Sequence, residues 1–116
     1  MSLDHFDELR GKLRDFARER DWEQFHTPKN PACSVSIEAG ELLELFQWLD
    51  SSSNAIEESA RVKIAEEIAD VLFYLVMLAD RLQIDLPSAL ENKLAKNAVK
   101  YPAELVRGRA TKPAEL

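Results

Sequence analysis

The sequence predicts an all-α fold, on three observations. Apolar residues recur at three- and four-residue spacings through four long stretches. Asn-Pro and Asp-Leu-Pro steps, which favour helix starts, precede two of those stretches. Only three glycines interrupt a chain that is 46% hydrophobic and 31% charged, a composition suited to soluble helices. With 116 residues, one domain with a modest core is expected, over residues 1–102, followed by an arm at 103–116.

The first helix is expected from Ser2 to about Arg20, with Ser2 as N-cap and Phe6, Leu9, Leu13 and Phe16 as its apolar stripe. Residues 21–30 lack periodicity and end in prolines, so they read as a loop, unusual in holding Trp22, Phe25, His26 and Lys29. Asn30 as N-cap and Pro31 at the first position then start helix two, expected to reach Asp50. A Ser-Ser-Ser-Asn step follows, and Asn54 with Glu57 has the spacing of a capping box for helix three, expected to reach Gln83. Residues 71–79 are apolar all round, so one neighbour cannot cover them and a second subunit is expected. Asp85-Leu86-Pro87 opens helix four and Tyr101-Pro102 closes it.

Composition excludes several classes of function. A net charge of −6 argues against a nucleic-acid polymer as partner, because such binding neutralises many phosphates with Lys and Arg. The single Cys33 cannot form an internal disulfide, and no stretch of 18 apolar residues could span a membrane, so a reducing cytoplasm fits. The basic residues are uneven: from Lys93 to Lys112 there are six Lys or Arg against one acid, Glu104.

The chemistry concentrates in two acidic pairs. Glu38 with Glu41, and Glu67 with Asp70, are each three residues apart and lie in phase with apolar stripes of helices two and three. A lone Glu-x-x-Glu is ordinarily a solvated face, but two on the apolar faces of adjacent helices are not ordinary. The short connection predicts antiparallel packing, which makes the four carboxylates converge. Two like charges 4 Å apart repel by roughly 4 kcal/mol at an effective dielectric near 20, so four would destabilise the bundle unless protonated, solvated or neutralised by a shared cation. Oxygen-only ligands suit Mg²⁺, with Mn²⁺ as a substitute, and Mg²⁺ shares its coordination with phosphates. This implies metal-assisted attack of water on phosphorus. Glu44 and Glu66 point about 100–120° away from their neighbours and are expected to face solvent. The non-catalytic alternative is a helical interaction protein whose acidic faces form a structural network or dock a basic partner.

Taken together, Arg20-Asp21-Trp22-Glu23-Gln24-Phe25-His26, Glu38-Ala39-Gly40-Glu41-Leu42, Phe46-Gln47-Trp48, Glu66-Glu67-Ile68-Ala69-Asp70-Val71-Leu72, Asp85-Leu86-Pro87 and Tyr101-Pro102 form an ordered set. In this set the chain resembles the MazG-like all-α nucleoside triphosphate pyrophosphohydrolases, specifically their dCTP pyrophosphatase branch. The resemblance implies that Glu38, Glu41, Glu67 and Asp70 hold Mg²⁺ and that a nucleoside triphosphate is cut to monophosphate and pyrophosphate. It implies a base pocket lined by Trp22, Trp48 and Tyr74, with His26, Lys29, Lys93, Asn97 and Tyr101 near base, sugar or phosphates. A four-helix domain assembled as a dimer of dimers, acting on dCTP or a modified pyrimidine analogue, is the corresponding expectation. Trp48 and Tyr74 each follow a carboxylate by seven residues, two helical turns or roughly 10 Å, the reach from a phosphate to a base. At Leu13 the chain departs from the dCTP-preferring members, which carry a polar His there.

Overall fold

The computed structural model describes residues 3–110. They form α1 (Leu3–Glu19), a 3-10 turn (Glu23–Phe25), α2 (Lys29–Glu44), α3 (Glu58–Arg81), α4 (Leu86–Lys100) and α5 (Ala103–Val106), with no strand among them. Ser2, the expected first cap, and residues 111–116 of the expected arm lie outside the described residues. The chain divides into two compact units, 1–83 and 84–116. Among the described residues no helix is long and apolar enough to cross a membrane.

In the first unit α2 packs against α3, and α1 also packs against α3. Its buried residues are Ala17, Pro31, Val76, Met77 and Ala79. Arg14 of α1 forks onto Asp80 of α3, its Nε donating to Oδ2 at 2.7 Å and a terminal nitrogen donating to Oδ1. The guanidinium hydrogen bond holds the Asp80 carboxyl below the usual carboxylate range. Phe16 meets Phe73 edge to face, with ring centroids 6.1 Å apart. Residue 14 thus meets 80 while residue 16 meets 73, so α1 runs against the direction of α3.

Helix ends depart from the sequence expectation in three places, each for a local reason. α2 starts at Lys29 with Pro28 as N-cap, since Pro28 already has φ −50° and ψ −38°. Asn30 therefore does not cap; its Nδ2 donates to the Phe25 carbonyl at 2.7 Å and closes the preceding loop. α2 ends at Glu44 rather than Asp50, because the amides of Leu45 and Phe46 bond three residues back, to Leu42 and Leu43. Asp50 then accepts from the amide and hydroxyl of Ser52 at 3.0 and 2.9 Å, a local turn that competes with helix. The capping box at Asn54 does not form either: α3 begins at Glu58 with Glu57 as N-cap, and Ser53 Oγ accepts from the Ala55 amide.

Two helices are followed by a left-handed residue that is not glycine. Asp21 after α1 and Gln83 after α3 take φ of 54° and 56°. At α1, Asp21 N–H donates to Arg18 O at 3.0 Å and Trp22 N–H to Ala17 O at 2.9 Å, the paired bonds of a Schellman closure. This turns Trp22 back onto Phe16, with centroids 5.7 Å apart.

The second unit starts as the sequence predicts. Asp85 caps α4, accepting from the Ser88 amide at 3.3 Å and also from the Ser88 hydroxyl. Tyr101 is the C-cap, its amide donating to Asn97 O at 2.7 Å. The expected arm contains one further helical turn, α5.

Glycine adopts the backbone of residue 83 without the steric penalty that a Cβ brings, so Gln83→Gly should raise stability. The expected gain is about 0.5 kcal/mol, the αL penalty less the larger chain entropy of glycine, read as a higher Tm in thermal unfolding.

Candidate metal centre and its cavities

Helical spacing puts Glu38 on the side of α2 that meets α3, and puts Glu67 and Asp70 on the side of α3 that meets α2. One carboxylate oxygen from each of the three lies within 4.8 Å of the others. The environment is unusual for acids. Glu38 Oε2 and Glu67 Oε2 are buried and have no hydrogen-bond partner. Desolvation pushes the Glu38 carboxyl up to about 6, reinforced by a hydrogen bond to Glu41 and by the charges of Glu41, Asp70 and Glu67. Desolvation also raises Glu67, followed by the charges of Glu41 and Asp70 and a hydrogen bond to Glu41.

Glu41 therefore belongs to the cluster electrostatically but stands outside the close trio and is exposed. Glu44 and Glu66 are exposed and outside the trio, although the charge of Glu66 adds to the rise at Glu67. Two orphaned carboxylate oxygens in a close trio of oxygen donors are the features that a hard divalent cation satisfies, and the trio lacks the His or Cys that zinc favours. The donor set fits such a cation.

Two cavities share Trp22 and Tyr74 as walls, and the larger of them is lined by acids of the trio. The larger, about 590 Å³, is lined by Glu38 and Asp70 together with Lys12, Leu13, Phe16, Trp22, Phe73 and Tyr74. The second, about 310 Å³, shares Trp22 and Tyr74 and adds Phe25, His26, Asn30, Pro31 and Ser34. Tyr74 lies one turn beyond Asp70 on α3, so its ring follows the acids into both spaces. Burial first, then the charges of Glu38, Asp70 and Glu41, raise the Tyr74 hydroxyl above its ordinary value, which keeps it a proton donor. His26 Nδ1 is buried and lacks a hydrogen-bond partner at the second cavity.

The structure thus brings Trp22 and Tyr74 to the cavity that Glu38 and Asp70 line, and His26 to the second cavity, which shares those two aromatic walls. It does not bring Trp48 there. Because α2 stops at Glu44, Trp48 is not two helical turns beyond Glu41 but sits in the following turn, 91% exposed. Lys29 is exposed at the start of α2 and lines neither cavity. In the second unit, Lys93 and Asn97 are four residues apart on α4 and Tyr101 caps it, Lys93 exposed and the other two half-buried. Sequence reasoning does not single out Lys12, Phe16 or Phe73 as site residues. The only signal for the two phenylalanines is their helical period, which equally describes a core, and Lys12 has no motif.

A family model described as the MazG-like family matches residues 33–116. The dCTP pyrophosphatase 1 of Rattus norvegicus is 43% identical over 113 residues, which cover 95% of this chain and 66% of that protein. The protein of the same name from Homo sapiens is 42% identical with the same coverage. The chain thus spans about two thirds of the length of the curated relatives it matches. The crystal structure of a pyrophosphatase from Archaeoglobus fulgidus DSM 4304 superposes with a TM-score of 0.79 at 48% identity, covering 84% of this chain and 93% of that one.

The raised Glu38 carboxyl makes stability depend on pH with a definite sign. Below about 4.5 the group is protonated folded and unfolded, so it contributes no penalty; above about 6 it must ionise in the fold, and the penalty is complete. In metal-free protein this contribution lowers stability as pH rises across that window. Glu38→Gln should remove it, so the Tm of the variant should gain on the wild type between pH 4.5 and 6.5 in the presence of a chelator. A divalent cation at pH 7 should raise the wild-type Tm more than that of the variant.

Proposed function

The chain belongs to the MazG-like family, and on that premise we propose that it hydrolyses nucleoside triphosphates to the monophosphate and pyrophosphate with Mg²⁺, or Mn²⁺ in its place. The observation that carries this reading is the close trio of Glu38, Glu67 and Asp70, with two orphaned oxygens, opening onto a cavity walled by Trp22 and Tyr74. The substrates we assign are dCTP or modified pyrimidine deoxynucleoside triphosphates, the names of the relatives supporting the first of these. Their removal would sanitise the nucleotide pool.

Glu38, Glu67 and Asp70 would hold the cation, with Glu41 completing the acidic set. When bound, the cation neutralises the carboxylates and polarises the phosphate oxygens. To Glu41, exposed and outside the trio, we assign the role of orienting a water molecule and accepting its proton as the new oxygen–phosphorus bond forms. The pyrophosphate oxygen departs as the phosphoanhydride bond breaks. Trp22 and Tyr74 supply flat surfaces for the base, where stacking contributes about 1–3 kcal/mol without naming it. On the family resemblance Trp48 is assigned to the base, and His26, Lys29, Lys93, Asn97 and Tyr101 to the base, sugar or phosphates.

A homo-oligomer, a dimer of dimers, is part of the same reading. Ile37, Leu43, Ile68, Leu72 and Leu75 remain exposed on α2 and α3, more apolar surface than a lone helix pair leaves to water.

Asp70→Asn should reduce pyrophosphate release by about 10²–10³-fold while leaving the helical circular dichroism signal intact. Product analysis for pyrophosphate against orthophosphate tests the position of the cut. Full Mg²⁺-dependent release by this variant would falsify the mechanism.

A further inference from the structure

We propose that Lys12 is a specificity-determining residue that donates a hydrogen bond to a carbonyl oxygen of the nucleobase, so that the site favours carbonyl-bearing bases over adenine. The assignment rests on the pyrophosphohydrolase reading for the identity of the ligand. Lys12 lines the 590 Å³ cavity that also holds Glu38, Asp70, Trp22 and Tyr74, and it is the one cation among the residues lining it. Among the described residues no carboxylate lies within ion-pair distance of Lys12, whereas Arg10, Arg14, Arg18 and Arg20 on the same stretch are all paired.

Its place along the cavity decides what it meets. Lys12 is four residues before Phe16, so its stem shares the face of α1 that carries that ring. Asp70 is three residues before Phe73, the ring that Phe16 touches. Because α1 runs against α3, these two steps lead in opposite directions from the Phe16–Phe73 contact. Lys12 and Asp70 are therefore separated along the helix axes by roughly 10 Å, about 6 Å on one side and 4.5 Å on the other. That is the span from a phosphate to a base. A nucleotide whose phosphates meet the carboxylates and whose base lies among the aromatic rings places the far edge of its base at Lys12.

The chemistry at that end is one-sided. A lysine ammonium has three donors and no acceptor, and the adjoining Leu13 is apolar. A base carbonyl accepts from Lys12, whereas an exocyclic amine finds no acceptor in either residue. Cytosine, uracil, thymine and guanine all carry a carbonyl; adenine does not. The exposure of Lys12 on a helix surface lets it be replaced without disturbing the fold.

The test is calorimetric titration of wild type and Lys12→Met with α,β-imido analogues of dCTP, dUTP and dATP in Mg²⁺, alongside pyrophosphate release from the natural triphosphates. The expected result is about tenfold weaker binding of the dCTP and dUTP analogues by the variant, with the dATP analogue changed less than twofold and Tm unchanged. An equal loss for all three would make Lys12 a phosphate contact, and no loss for any would make it a bystander; either overturns the assignment. Wild-type protein that binds the analogues but releases no pyrophosphate would defeat the hydrolytic reading alone, leaving the binding comparison to decide the role of Lys12.

Discussion

Mutual repulsion among carboxylates on two packed helices is the constraint that the rest of the first unit depends on. Glu38, Glu67 and Asp70 are brought within 4.8 Å by the packing of α2 on α3, and two of their oxygens are buried without a protein donor. Burying such groups without partners opposes folding. The protein relieves part of this by letting Glu38 retain its proton up to about pH 6. A divalent cation held by the trio would relieve the rest. Tyr74 belongs to the same electrostatics, since the acids beside it hold its hydroxyl in the protonated form.

The third helix gives this acidic seam a wall. α1 carries no acid of the cluster, yet Leu13 and Phe16 reach the cavity because Arg14 is forked onto Asp80 and Phe16 rests on Phe73. The Schellman closure at Asp21 then turns Trp22 back toward the same space. Strain at one left-handed residue thus sets the direction of an aromatic ring. The loop that follows is held by Asn30 on the Phe25 carbonyl, with His26 facing the second cavity. Residues far apart in sequence are consequently gathered around the carboxylates by few contacts, each with an identifiable cause.

Family membership and physical reading meet on the same residues but do not carry the same weight. The match over residues 33–116 includes both acidic helices, while Lys12 and Leu13 lie before it. The relatives are named for dCTP, and in this chain one end of the cavity sets a donor-only cation, Lys12, beside a leucine, Leu13. In the proposed function the metal would be held by α2 and α3, and the base would be discriminated from α1.

The helical class, the course of α1, the cap at Asp85 and the phase of the two acidic pairs were legible in the sequence, because helix periodicity and capping depend on neighbours a few residues away. Helix ends were less so: Asn30, Asp50 and Ser53 each had a local hydrogen bond that competed with the expected cap or continuation. The site was legible where it follows from period, as for Glu38, Glu67, Asp70 and Tyr74, and not where it follows from packing. Trp48, in phase with Glu41 on paper, is carried outward once α2 stops at Glu44. Lys12 acquires a cavity only because Arg14 meets a residue 66 positions away. What the sequence determined by itself was the direction in which each helix faces its acids, fixed by the backbone bonds of a single turn. Which of those acids would meet, and which side chains would wall the space beside them, was decided by tertiary packing, since no local rule sets the contact between one helix and another.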